Sequence, residues 1–468
     1  MRYISTRGEA PVLNFADVVV TGLASDGGLY VPESWPQIGA ATLKDLQGKP
    51  YTDVARAVLS TFIGDSFGAD DLSQCVDVAY RDFGHALVAP LVQYGPNNWL
   101  LELSHGPTLA FKDVAMRLLA QLMSVILRKR GGHATIIGAT SGDTGSAAID
   151  AFRGLEAVDV FILYPHGRVS DVQRRQMTTV PDANVHTIAL EGTFDDCQNL
   201  VKAMFADQAF NRAMNLSGVN SINWARIMAQ TVYYFTSALA LGAPDREVSF
   251  TVPTGNFGDV FAGYVAKRMG LPVDRLVVAT NVNDILDRTL RTGSYAMNGV
   301  VPSSSPSMDI EISSNFERLL FEVHGRDAAR IRNLMGALRQ QRAFQIDRDP
   351  LAAIRADFQS ARCDEDETRA MIRRMFDECN LIVDPHTAVG LVAADKVDAT
   401  EGPMVVLSTA HPAKFPDAVE AATGIRPALP PRLADLHERA ERINRLPNDL
   451  RAVQSFISGL SRAQSRDT

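Results

Sequence analysis

The chain has 468 residues, more than a single hydrophobic core serves, so two or three domains are expected. Hydrophobic residues make up 46% and charged residues 21%, the balance of a soluble globular protein, and no apolar run is long enough to span a bilayer. A formal charge of −8 with no basic stripe argues against nucleic acid, although an acidic protein can hold a locally positive pocket for a small anion.

The N-terminal MRYISTRGEAP lacks a signal-peptide pattern, so a cytoplasmic protein is expected. Cys75, Cys197, Cys363 and Cys379 are scattered without a CxxC pair, and the nine histidines show no HxxxH or HxH spacing. Neither a disulfide framework nor a metal site is expected.

Residues 1 to about 95 carry helical patterns, as in YTDVARAVLSTFIG at 51–64, and short turns, as in SDGGLYVPE at 25–33. From about 97 onward short apolar runs alternate with helical stretches. NWLLELS, HATIIGAT, VDVFILYP, NVHTIAL, EVSFTVP, RLVVATN and PMVVLST read as buried strands. Between most of them lies a periodic helix, such as FGDVFAGYVAKRMG at 257–270. This alternation predicts an α/β protein with parallel sheets covered by helices. Residues 293–315, rich in Ser, Pro and Gly, predict a long ordered loop. Residues 317–380 read as wholly helical, an insertion or peripheral layer, and the tail after about 430 as charged and helical.

Five stretches carry candidate chemistry. In HGPTLAFKDVAMRLL at 105–119 a turn-rich loop enters a helix with Lys112 at the junction. Ala115, Leu118, Leu119, Leu122, Met123 and Ile126 form one apolar stripe of that helix. A lysine there either snorkels to solvent or is kept partly desolvated as a nucleophile. The second stretch, ATSGDTGSAA at 139–148, packs Ser141, Gly142 and Thr144 into a strand-to-helix turn, an anion-binding loop or a simple cap. The third, PTGNFGDV at 253–260, makes a compact nest of Gly255, Asn256, Phe257 and Gly258, suited to a phosphate or to an ordinary tight turn. It lacks GxGxxG spacing, which disfavours a dinucleotide and hence a dehydrogenase. The fourth, LSTAHPAKF at 407–415, offers Ser408 and Thr409 at a strand's carboxyl end, as ligand groups or caps. The fifth, NSINWARI at 220–227, places Asn220, Ser221 and Arg226 around a helix start, an oxyanion clamp or a surface ion pair.

Together, a poised lysine, a hydroxyl-rich loop, a glycine nest and a strand-end hydroxyl are what pyridoxal phosphate requires. A hydroxyl against the ring nitrogen, in place of a carboxylate, keeps the pyridine less protonated and tempers the electron sink.

With YISTRG at 3–8, DGGLYVPE at 26–33 and SPSMDI at 305–310 added, these motifs resemble the longer branch of the threonine synthase family along nearly the whole chain. The resemblance implies pyridoxal-phosphate fold type II: two open parallel-sheet domains covered by helices, an N-terminal mainly helical domain at 1–95, a smaller domain at 96–240 and a larger one at 241–468 with a helical insertion at about 281–380. It implies Lys112 as Schiff-base lysine and proton shuttle, and Gly255, Asn256, Phe257 and Gly258 on the cofactor phosphate. Thr409, or Ser408 beside it, would meet the pyridine nitrogen. Ser141, Gly142 and Thr144 would meet the substrate carboxylate, and Asn220, Ser221 and Arg226 the substrate phosphate. Where many relatives of the fold type have asparagine against the ring hydroxyl, this chain has Asp143. The implied reaction takes O-phosphohomoserine and water to threonine and phosphate. A phospholyase giving a 2-oxo acid and a non-catalytic cofactor carrier are the alternatives.

Overall fold

The computed structural model describes residues 1–218, 221–398 and 401–463. All seven apolar runs form strands: Asn98–Glu102, Ala134–Ala139, Val158–Pro165, Val185–Glu191, Val248–Pro253, Val273–Thr280 and Met404–Ser408. Val158–Pro165 is buried at every position, as a strand covered on both faces requires.

Two sheets organise the molecule. The larger runs, strand beside strand, Phe358–Arg362, Val273–Thr280, Val248–Pro253, Met404–Ser408, Asn98–Glu102 and Leu91–Gln93, and only the last pairing is antiparallel. The smaller runs Asn444–Pro447, Val185–Glu191, Val158–Pro165, Ala134–Ala139 and Leu216–Gly218, all parallel.

The sheets do not follow the contiguous division at 96–240 and 241–468. Asn98–Glu102 lies in the larger sheet against Met404–Ser408, and Asn444–Pro447 returns to the edge of the smaller one. Parallel pairing requires crossovers, so neighbours in a sheet are distant in sequence. The stretch 317–380 is not wholly helical either, because Phe358–Arg362 forms the larger sheet's edge and Ala343–Gln345 pairs with Ser294–Ala296. The tail after 430 likewise holds the strand Asn444–Pro447 ahead of the helix Leu450–Leu460. These edge strands, AFQ, FQSAR and NRLP, hold few apolar residues, so no apolar run marks them.

The N-terminal region contributes the helices Phe15–Thr21, Ala40–Leu46, Tyr51–Ile63 and Ala69–Tyr80, and pairs Tyr3–Ser5 with Tyr30–Pro32. The helix Trp224–Ala240 packs against Tyr51–Ile63, Lys112–Lys129 and Gly258–Arg268, joining this region to both sheets. At its start Trp224 is fully buried among the rings of Tyr3, Trp35 and Phe62, at 6.0, 6.1 and 5.8 Å. Burial of each such side chain contributes roughly 1.5–3 kcal/mol. The expected stripe on Lys112–Lys129 is buried from Ala115 to Ile126. Strands of both sheets release loops at their carboxyl ends, 140–142 from the smaller and 254–257 and 409–411 from the larger. Ligands of open α/β sheets bind at these ends.

Candidate active site

Lys112 opens its helix directly after the 105–111 loop. That loop is pinned by Asp113, fully buried, which accepts from the Thr108 amide at 2.8 Å and the Thr108 hydroxyl at 2.5 Å. The Lys112 side chain does not snorkel: it is 11% exposed, with Nζ 4.6 Å from the centre of the Phe111 ring and 3.7 Å from Asp143 Oδ2. Burial lowers its pKa below the ordinary lysine value; Asp143 opposes this, and the cations Lys414 and Arg226 add to it.

Asp143 is the hub of the site. It begins the helix Asp143–Phe152, and its carboxylate receives Lys414 Nζ at 2.7 Å, Gln173 Nε2 at 2.8 Å and the Ser307 hydroxyl at 3.1 Å. Burial by itself would raise its pKa, but the ammonium groups of Lys414 and Lys112 outweigh that and hold the carboxyl well below the usual range. The turn before it depends on Gly142, at φ 149°, where a Cβ would fall on the Gln173 side chain. Thr140 Oγ1 accepts the Gly142 and Gly145 amides at 2.9 Å and fixes the loop. Ser141 is exposed at its tip, and Thr144 is half-buried on the first helical turn.

The glycine nest lies at the start of the helix Gly258–Arg268, whose first amides have no helical acceptors. Phe257 is buried at φ 63°, a conformation held by its amide's bond to Thr254 Oγ1 at 3.1 Å. A Cβ on Gly255 would come 2.9 Å from the Ser307 carbonyl oxygen, and one on Gly258 would come 3.2 Å from Asn315 Nδ2. Packing thus leaves little room for a side chain at either glycine, and the amides that open the helix are donors of the kind that bind a phosphate. Asn315 braces it, donating from its backbone and side-chain nitrogens to the Asn256 carbonyl at 3.1 and 3.0 Å.

Ser408 ends its strand, and its hydroxyl lies 3.2 Å from that of Thr387. Thr409 is buried beside it, its carbonyl accepting the Phe111 amide at 2.8 Å, which sets this strand end against Lys112. His386 gives Nδ1 to Asp384 at 2.7 Å and presents Nε2 to the Ser307 amide at 3.2 Å, locking the 305–310 segment over the site.

Arg226 is not a surface residue. It is 4% exposed in the first turn of Trp224–Ala240, and burial pulls its guanidinium down to about 10, so it remains a cation at neutral pH. The Ser221 carbonyl accepts from Asn315 at 3.3 Å, which brings that stretch to the nest. Asn220 lies outside the described residues.

The sequence match agrees with this geometry. Residues 2–80 match the model for the threonine synthase N terminus, 88–409 that for pyridoxal-phosphate dependent enzymes, and 387–457 that for the threonine synthase C-terminal region. The chain is 53% identical over 460 residues to threonine synthase of Pseudomonas aeruginosa, covering 98% of each.

The chain belongs to the threonine synthase family.

Among solved members of the family, the pyridoxal-phosphate-bound threonine synthase from Brucella melitensis matches with a TM-score of 0.98 and 58% identity, covering 99% of this chain and 100% of that one. Threonine synthase from yeast matches at 0.94 and 41%, covering 98% of each. Within the threonine synthase frame, the structure gathers Lys112, Asp143, Arg226 and the nest around one space and adds Ser307, Gln173, Asn315, His386 and Lys414. None of these five is singled out by reading the sequence. Ser307 and Lys414 do stand inside the motifs SPSMDI and LSTAHPAKF, a signal that could have drawn attention to them.

Proposed function

We propose that this chain is a catalytically competent threonine synthase, using pyridoxal phosphate to convert O-phosphohomoserine and water into threonine and inorganic phosphate. The observation that carries the reading is a largely buried lysine in the same site as the glycine nest: Lys112 is 11% exposed with lowered basicity, and Asp259 of the nest helix is among the charges that act on it. The donor set suits the cofactor. Lys112 would hold its aldehyde carbon, the amides from Gly255 to Gly258 its phosphate, and Thr409 its ring nitrogen. Thr409 is favoured over Ser408 because the Ser408 hydroxyl is already engaged with Thr387.

When bound, pyridoxal phosphate supplies an aldehyde for the substrate amine and a ring that draws electrons from the substrate's α- and β-carbons. Once the substrate amine has taken its place, Lys112 would be free as an amine to remove the α-proton and later to return protons to product. Its lowered basicity favours the neutral amine more than in a solvent-exposed lysine. Arg226 would receive the γ-phosphate as a fixed cation and keep hold of it as it leaves. Ser141, Gly142 and Thr144 would orient the substrate carboxylate from the strand-to-helix turn on either side of Asp143. The water that enters at the β-carbon has to be admitted only after phosphate departs, which a closed, preorganised site favours.

The experiment is a product assay with O-phosphohomoserine. Equal amounts of threonine and phosphate are expected from the native chain. Lys112→Ala should keep the fold and lose nearly all turnover. Release of 2-oxobutyrate in place of threonine would instead assign a phospholyase, and no turnover at all would leave a cofactor carrier.

A further inference from the structure

Lys414 is buried as few lysines are. Its side chain is 0% exposed, at the end of the short turn Pro412–Lys414 that follows the strand Met404–Ser408. An ammonium taken out of water costs several kcal/mol unless it is paired and hydrogen-bonded. Lys414 meets that requirement with Asp143 Oδ1 at 2.7 Å and the Thr108 carbonyl at 2.8 Å. Lys112 approaches the other oxygen of the same carboxylate, at 3.7 Å. Two amines thus compete for one buried anion, and the shorter contact belongs to Lys414.

The other titratable groups around the pair come from separate elements. Arg226 on Trp224–Ala240 and Asp259 on Gly258–Arg268 act on Lys112 in opposite senses, and His386 on Pro385–Lys396 faces Asp143. Of the two ammonium groups at the Asp143 carboxylate, Lys414 makes the shorter contact, 2.7 Å against 3.7 Å for Lys112.

We propose that Lys414 is a positioning residue that takes up the Asp143 carboxylate, so that the pair offers Lys112 a neutral polar neighbour and leaves its amine uncharged and nucleophilic. The inference rests on reading Lys112 as the cofactor-holding lysine. A lone Asp143 would instead stabilise the Lys112 ammonium. A single asparagine would offer the neutral polarity directly; here two residues, each following a strand of a different sheet, supply it together.

The test follows the borohydride-reducible linkage of pyridoxal phosphate to Lys112, located by peptide mapping and timed from mixing apoprotein with cofactor across a range of pH. In the native chain the rate should rise with pH to a midpoint below the ordinary lysine value of about 10.4. In Lys414→Met the carboxylate passes to Lys112, and the midpoint should climb by about one unit or more, slowing linkage at neutral pH roughly tenfold. Adding Asp143→Asn to Lys414→Met removes the carboxylate too and should return the rate close to native. A Lys414→Met chain with native rate and midpoint overturns the proposal, and so does a double variant as slow as the single one. Should Lys414→Met fail to fold, the double variant decides alone: near-native linkage supports the proposal and slow linkage overturns it. No linkage at Lys112 in the native chain would overturn the cofactor reading, and this inference with it.

Discussion

Gly255 has no room for a side chain, and the atoms that exclude one are backbone. A Cβ there would lie 2.9 Å from the Ser307 carbonyl oxygen and 3.3 Å from Met308 Cα, neither of which can swing aside as a side chain can. Gly255→Ala should push the 305–310 segment outward, break the Ser307–Asp143 hydrogen bond and weaken pyridoxal phosphate binding about tenfold or more, about 1.4 kcal/mol. Fluorescence titration of the apoprotein measures this, and native affinity would remove the nest from the argument. Arg226→Ala separates substrate from cofactor. Loss of charge-assisted bonds worth roughly 1.5–3 kcal/mol should raise KM for the phosphorylated substrate about 10- to 150-fold while leaving cofactor affinity near native. Equal loss of both would give Arg226 a structural role. Lys112 and the nest were legible at this scale because a lysine at the head of an apolar stripe and glycines after a strand are local patterns. Lys414 and Ser307 were not, since their meaning lies in Asp143, which sits more than 160 residues away from each.

The helix Phe316–Val323 shows how elements brace the site from outside it. Arg318, fully buried, donates to the Tyr30 carbonyl at 3.0 Å and the Ile222 carbonyl at 2.6 Å, and also to Asn315 Oδ1. It thereby ties the strand Tyr30–Pro32 to the segment ahead of Trp224–Ala240, and through Asn315 to the nest. Burial draws its guanidinium down to about 9, the mark of a cation kept for its geometry at some cost in solvation. Nearby, Glu317 holds Arg7 with bonds of 3.0 and 2.9 Å, a second tie to the N-terminal region. Arg318→Met should orphan a buried carbonyl and a part-buried one and lower stability by about 2–3 kcal/mol, with weaker cofactor binding as a consequence. Urea unfolding checks the first; unchanged stability would mean that water replaces the guanidinium. Reading 317–380 as one peripheral helical layer missed this role because periodicity reports which face is buried, not what it is buried against.

At the scale of the whole molecule, stability should depend on acid in a way that one histidine helps to set. Burial, with Arg432 and His105 adding like charge, lowers His411 to about 4. An unfolded histidine takes its proton near 6.5, so the folded state binds fewer protons between these values. The stabilisation is full above about 6.5 and is lost as pH falls toward 4. His411→Asn keeps an acceptor for the Ala413 amide, now held by His411 Nδ1 at 3.1 Å, and removes the titration. Its acid-unfolding midpoint, followed by circular dichroism, should move to lower pH; superimposable acid curves would sink the assignment.

The seven apolar strands, the buried helices and the motif loops were determined by sequence alone, because a buried strand and an amphipathic helix write their periods into consecutive residues. Family membership was legible for the same reason, being carried by contiguous motifs such as HGPTLAFKD and SGDTG. Tertiary structure decided which strands share a sheet, sending Asn98–Glu102 to the larger and Asn444–Pro447 to the smaller. It also decided which charged groups surround Lys112, since the Asp143–Lys414 pair exists only once residues 271 positions apart are brought to 2.7 Å. Pairing across such distances is settled by burial and by the competition of charges for few partners, and neither is written in local spacing.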